Sequence, residues 1–493
     1  MTTPFTYAPP VRRLPWMVAA IVAGLTNVSS QSAPPRSWPP AFTECNLGGV
    51  SESARCGVVR VPESSGPGSR QIAIHVVVLP ARASVPASDI VVPLAGGPGQ
   101  GSASLAGAYG RQLEFLRQRR DILLIDQRGT GASNGLQCDT HGPATALFGH
   151  LFNPVRLKQC RDELAKRADL TRYTTPIAAA DFARVWDALG YRRVNLIGTS
   201  YGSRMALELA RQFPERIRTV TLDAVAPVSL AWPSQAAPDA DAALSVLADD
   251  CTADAACARA FPQFTRDIET AFARVARQPV DATVRDPATG EVVRVRFGRT
   301  DLGYAVRGLL YGDAALALPQ WFKAAAMGSY DRFAQAYVDR ARALDGEIAD
   351  GVHLGVYCAE DLPRVNWPAA VAAGRPTHLG TYLIDEYRAA CAVWPRAVVP
   401  ASYFEPVHST VPTLLMTGRR DPVTPPRTAI DAARTLEGSR VLLWRHGGHA
   451  SDGLLQRGCR ASIVNAFIQS GSVANLPVGC MSSAPFPFAI EPQ

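Results

Sequence analysis

Lysine is almost missing from this chain. Of 50 basic residues only Lys158, Lys166 and Lys323 are lysine, and the arginines that make up the rest are scattered along the sequence. The formal net charge of +7 therefore lacks the clustering that a nucleic-acid footprint requires, and no nucleic-acid partner is expected. No apolar run approaches the roughly eighteen residues of a membrane-spanning helix, which predicts no stable membrane insertion of the mature chain. There is no C-x-x-C pair and no G-x-x-x-x-G-K loop, so neither a tetrahedral metal cluster nor a nucleotide phosphate site is expected, and no metal or organic cofactor is called for. Charged residues are also sparse, at 19% against 47% hydrophobic. That balance excludes disordered and collagen-like chains, and 493 residues allow several domain-sized units or one large domain with an insertion.

The first residues carry a compartment signal. Arg12 and Arg13 precede the apolar run Leu14–Leu25 and a polar, small-residue stretch up to Ala33, and no acidic residue occurs before Glu44. A basic region, a short apolar core and a small-residue site read as a signal peptide over 1–32, with an uncleaved anchor as the alternative. The paired arginines suggest twin-arginine export, but the residues after them do not complete such a signal. Ten cysteines agree with export to a secreted or periplasmic location. They fall as sequence neighbours: Cys45 with Cys56, Cys138 with Cys160, Cys251 with Cys257, Cys358 with Cys391, and Cys459 with Cys480. Closing those short loops is the simplest of many possible connectivities.

Beyond a Ser/Pro-rich spacer, strand patterns occur at Gln71–Leu79, Asp89–Leu94, Asp121–Ile125, Val194–Ile197 and Thr219–Leu222, with helical stretches at 103–118, 176–189 and 202–214 between them. Strands alternating with helices predict an α/β fold with a mostly parallel sheet. After Pro227 the pattern becomes alanine-rich and helical, broken near 280–297 by an alternating stretch with a turn at 286–290. Strands resume at Pro412–Met416 and Val441–Trp444. The expected organisation is a core over 33–227, a mainly helical cap over 228–400 and a second core portion over 401–493.

Two GxSxG segments are present, centred on Ser133 and Ser200. A nucleophile elbow needs a strand running into the motif and a helix leaving it, because the sharp turn lifts the hydroxyl above the sheet. Val194–Ile197 runs into Gly198, and a strong helical pattern follows Gly202, so Ser200 is the candidate nucleophile. Ser133 lies in Gly-rich coil. A serine hydroxyl needs an imidazole to take its proton and a carboxylate to orient that imidazole. In the acid-then-histidine order, Asp421 follows one late strand and His449 the next; Asp223 and His446 are the rivals. The loop Ala95–Gly101 follows a strand, and Gly97 N–H with Tyr201 N–H would form an oxyanion hole.

At these residues the chain resembles the α/β-hydrolase superfamily, and within it the proline iminopeptidase and secreted tripeptidyl aminopeptidase group of serine exopeptidases. Ala95-Gly96-Gly97-Pro98-Gly99 is similar to that group's His-Gly-Gly-Pro-Gly loop, with alanine in place of histidine. Asp126-Gln127-Arg128-Gly129-Thr130-Gly131-Ala132-Ser133 matches its Asp-Gln-Arg-Gly-x-Gly-x-Ser segment. The resemblance spans about residues 70–225 and 405–465. It implies a Ser200–His449–Asp421 triad acting through an acyl-enzyme on a peptide, with Glu360 and then Asp361 as carboxylates from the cap that bind the substrate's free amine. A carboxylesterase acting on a small ester is the alternative for the same elbow.

Overall fold

The computed structural model describes residues 38–50, 52–138, 142–449, 457–482 and 488–489; the expected signal peptide over 1–32 lies outside the described residues. Among the described residues nine strands, β1 Phe42–Cys45, β2 Ala54–Pro62, β3 Gln71–Leu79, β4 Ile90–Leu94, β5 Ile122–Ile125, β6 Val194–Thr199, β7 Ile217–Asp223, β10 Thr413–Gly418 and β11 Ser439–Trp444, form one sheet. Their order is β1-β2-β3-β5-β4-β6-β7-β10-β11. The first three strands and the β3–β5 junction are antiparallel, and every pairing from β5 through β11 is parallel. β8 Val280–Arg285 and β9 Val292–Phe297 make a separate antiparallel hairpin, at the alternating stretch noted in the sequence.

The parallel strands are short runs buried along almost their whole length, as β4 (IVVPL) and β5 (ILLI) illustrate, because helices cover both faces. The helix Tyr201–Gln212 is central. Every residue from Tyr201 to Ala210 is buried, and each leucine on it contributes about 1.5–3 kcal/mol by leaving water. Strands β1 and β2 have no counterpart in the sequence reading. Arg55, Gly57, Arg60 and Pro62 dilute the apolar alternation of β2, and the strand is only partly covered; the Cys45–Cys56 disulfide holds the pair together.

The helical segment between the two sheet portions does not form one separate body with one core. Its middle, with Phe264, Phe272, Phe297, Phe322 and Phe333, packs as a distinct apolar cluster that Ala144 and Leu147 of the preceding region join. Its last third, including Val352, Leu354, Tyr387 and Trp394, is part of the cluster under the sheet. All ten cysteines are paired, in the five near-neighbour loops. Among the described residues no helix is long and apolar enough to cross a membrane.

Candidate active site

The carboxyl ends of β4, β6, β10 and β11 meet along one edge of the sheet, where side chains carried on the following turns converge. Ser200 sits directly after β6 at φ 57°, ψ −124°, a left-handed conformation that a non-glycine residue adopts only when its surroundings impose it. They do so here by crowding. A Cβ on Gly202 would lie 2.1 Å from Leu94 O, and one on Gly198 would lie 2.3 Å from Gly202 O, so both flanks of the turn must be glycine. Ser200 N–H donates to Asp223 O (2.9 Å), which ties the turn to β7.

His449 Nε2 is 3.0 Å from Ser200 Oγ, and its Nδ1 is 3.0 Å from both oxygens of Asp421. An ionised carboxylate only accepts, so Nδ1 carries the proton and Nε2 presents its lone pair to the serine hydroxyl. Asp421 also accepts from Val423 N–H (2.8 Å), Thr424 N–H (2.9 Å) and Thr424 Oγ1–H (2.7 Å). Burial alone would raise its pKa, but the charge and hydrogen bond of His449, together with the Thr424 donors, outweigh it and hold the carboxyl below its ordinary value. Burial would lower the imidazole pKa in the same way, and Asp421 reverses that, leaving His449 above its ordinary 6.5. His449 N–H donates to Tyr311 O (2.8 Å), and the Tyr311 ring packs edge-on against the imidazole at 4.7 Å.

The rivals sit elsewhere. Asp223 accepts from Arg460 Nε (3.2 Å), while His446 lies beyond the residues that line the cavity around Ser200. Ser133 is buried, donating to Asp126 O (2.7 Å) and accepting from His75 N–H (2.7 Å). The segment around it acts as a clamp: Asp126 accepts from Ala103, Ser104 and Ala132 N–H, which pins the chain leaving the Ala95–Gly101 loop. Arg128 grips Asp181 bidentately and three backbone carbonyls.

Gly96 and Gly97 line the cavity beside Ser200, and a Cβ on Gly96 would stand 3.4 Å from Ser200 Cβ. Gly97 has φ +107°, and Tyr201 opens its helix, where the first N–H groups have no partner within the helix. His353 Nδ1 is 3.0 Å from Pro98 O and its Nε2 2.8 Å from Tyr387 OH. The carbonyl can only accept, so Nδ1–H donates to it and Nε2 accepts from the tyrosine. Burial drives this imidazole down to about 4 and keeps it neutral.

Glu360 and Asp361 do not face the cavity, contrary to the expectation drawn from the family resemblance. Both are 0% exposed, in a π-helical turn Tyr357–Asp361 that the Cys358–Cys391 disulfide anchors. Asp361 is bound bidentately by Arg204 (2.9 and 3.0 Å) and by Arg364 (3.1 Å). Glu360 accepts from Thr175 N–H, Thr175 Oγ1–H and Tyr403 OH, with Arg204 at 3.8 Å. The physical reason is Arg204. It stands on the buried helix after Ser200, and a guanidinium out of water needs counter-charge. Burial raises Glu360 to about 7 against the opposing charge of Arg204.

The cavity encloses about 530 Å³. Its second wall comes from the helical segment, through Trp232, Tyr304, Arg307, Tyr311, Arg340 and Tyr357 among others, none of which the sequence reading singled out. Helical periodicity marks such residues only as buried or amphipathic, and no motif surrounds them. Among the described residues no cluster of three or more metal-ligating side chains converges.

The α/β hydrolase fold family model matches residues 89–451. Serine protease Hip1 of Mycobacterium tuberculosis is 23% identical over 474 residues, covering 86% of this chain and 88% of that protein. Tripeptidyl aminopeptidase of Streptomyces coelicolor is 23% identical over 400 residues, covering 74% and 70% respectively. Proline iminopeptidase of Mycobacterium smegmatis, a solved structure, is 17% identical with a TM-score of 0.41 and covers 85% of this chain and 99% of that one. A serine elbow at Ser200, then Asp421, then His449 along this sheet accord with the match, and the chain belongs to the α/β-hydrolase fold family.

Proposed function

We propose that the protein is an exported serine exopeptidase that releases N-terminal residues or tripeptides from peptides through an acyl-enzyme. The single observation that carries the catalytic part is the hydrogen-bonded series Ser200–His449–Asp421 opening into a covered cavity. His449 takes the proton of Ser200 as Oγ attacks the substrate carbonyl, Asp421 keeps the imidazole in the required tautomer, and Gly97 and Tyr201 N–H receive the oxyanion. The imidazolium then protonates the leaving amine, and a water activated by His449 hydrolyses the acyl-enzyme. The peptidase reading is supported by the similarity to Hip1 and to tripeptidyl aminopeptidase, and the exopeptidase reading by a cavity roofed by the helical segment 228–400, which acts as the cap. Export is supported by five disulfides, which persist in oxidising compartments.

A secreted esterase is the second reading, favoured by one observation: among the described residues that line the cavity there is no Asp or Glu to receive a substrate ammonium. Matched tripeptidyl and aminoacyl anilides, their N-acetylated counterparts and a short-chain ester separate the two. Turnover confined to free-amine anilides and abolished in Ser200→Ala is the expected result. Ester turnover with no free-amine preference overturns the exopeptidase reading and leaves an esterase on the same triad.

A further inference from the structure

Three arginines line the cavity, and they are not equivalent. Arg204 is neutralised by Asp361 and Glu360. Arg307, on the helix Arg299–Leu309, is 4% exposed, and Arg340 stands on the helix Asp331–Leu344. Among the described residues neither forms an ion pair, and the Nε–H of each is buried with no hydrogen-bond partner. Asp239, whose charge Arg307 feels, is already held bidentately by Arg427 at 2.6 and 2.7 Å.

What surrounds the two guanidiniums instead is aromatic. Arg307 lies 4.8 Å from the Trp232 ring centroid and 5.4 Å from that of Tyr311, and Arg340 lies 4.2 Å from Tyr311. Aromatic faces return only part of what a desolvated cation loses with its hydration. The deficit is visible at Tyr311. Burial would raise its phenol, but the two arginines pull it down to about 8. Two guanidiniums thus stand in the part of the cavity that adjoins His449 across the Tyr311 ring.

Two guanidiniums that line one cavity without an ion pair, where none of the described lining residues is a carboxylate, match one ligand chemistry. The planar fork of each presents paired N–H groups at the spacing of carboxylate oxygens. We propose that Arg307 and Arg340 form a subsite for a substrate carboxylate, so that the preferred substrate carries an anionic group close to the bond cleaved at Ser200. That carboxylate belongs either to an acidic side chain or to the free C-terminus of a short peptide. The inference rests on the proposed hydrolase reading for what happens after binding, but the subsite itself does not need the chemistry.

The test separates the two. Ser200→Ala protein is titrated with tripeptides that carry Glu or its isostere Gln at each position in turn, and with one neutral tripeptide bearing a free or an amidated C-terminus; Trp232 fluorescence or calorimetry reads binding. Tighter binding of at least one carboxylate form, by about 10- to 100-fold over its amide, is expected, and the position at which it occurs distinguishes a side-chain source from a C-terminal one. Arg307→Gln and Arg340→Gln in the same background are each expected to collapse that ratio towards one, and Arg307→Lys to restore part of it. Equal binding of every acid and amide pair overturns the proposal, as does a ratio that survives in both glutamine variants. Should a variant fail to fold, the acid-to-amide ratio of the Ser200→Ala protein and its fall with added salt decide the matter alone. Turnover of the same pairs by the wild-type chain completes the design. Carboxylate-selective binding without Ser200-dependent turnover would keep the subsite and reject the hydrolase reading; turnover with no carboxylate preference would do the reverse.

Discussion

The two walls of the cavity solve the same electrostatic problem differently. On the sheet side the buried charges beside Ser200 have partners: Asp421 accepts from four donors, His449 among them, and Arg204 faces Asp361 and Glu360. On the helical side Arg307 and Arg340 have no ion pair among the described residues; they lie against rings, and Arg307 also hydrogen-bonds to Tyr311. Charges that must keep one geometry through a reaction are saturated within the protein, whereas charges left unsaturated are available to something that arrives. Within the sheet side there is a second contrast. Asp421 is paired with an imidazole, which can gain and lose a proton and lies next to a hydroxyl, while Asp361 is paired with a guanidinium that never loses its proton. The first pair can move protons; the second can only hold structure.

Substitutions sharpen this division. The largest effect is expected from Ser200→Ala, which should lower kcat on any ester or anilide substrate by about 10⁴- to 10⁶-fold while leaving the melting temperature near that of the parent, as steady-state kinetics and calorimetry would read. Asp421→Asn should cost about 10⁴-fold in kcat, because an amide that donates to Nδ1 stabilises the wrong tautomer of His449; a loss below tenfold would mean another acid serves the histidine. Asp361→Ala is expected to act on the other quantity. It leaves Arg204 buried with Glu360 at 3.8 Å as its remaining counter-charge, and should destabilise the chain by about 3 kcal/mol in denaturant unfolding, with little change in KM for the folded fraction. A large KM effect on amine substrates without loss of stability would restore the amine-binding role.

The smallest effect is a shift in pH dependence. Catalysis needs His449 neutral, and its pKa lies above 6.5, so kcat/KM should fall as pH drops through a midpoint higher than that of an isolated imidazole. Residual activity of Asp421→Asn should show this acid limb displaced to lower pH, since the carboxylate that raises the imidazole pKa is gone. A limb that stays in place would show that the titrating group is not His449.

Much of the catalytic side was legible before any coordinates. Val194–Ile197 followed by Gly198-Thr199-Ser200-Tyr201-Gly202 and a helical run is a local pattern whose geometry follows from strand, turn and helix chemistry, and β6, Ser200 and the helix Tyr201–Gln212 occupy those positions. Asp421 and His449 were legible because each follows a short apolar strand on a Gly-containing turn. Strand β2 was not, since a strand near the end of the sheet that is only partly covered tolerates Arg55, Gly57 and Arg60, and its alternation is lost. Glu360 and Asp361 were visible as an acidic pair, but nothing in their neighbourhood reveals that Arg204, more than 150 residues earlier, takes both.

The elbow, the order of the proposed nucleophile, acid and histidine, the parallel sheet and the disulfide-compatible cysteine spacing are all readable along the chain, because each depends on local pattern. Only the tertiary structure decided which charges are satisfied. Arg204 and Arg307 look alike in sequence, each within an amphipathic or apolar helical run. One meets two carboxylates and the other meets tryptophan and tyrosine, because counter-charge is set by which helices pack together, and that is fixed by long-range burial, not by local pattern.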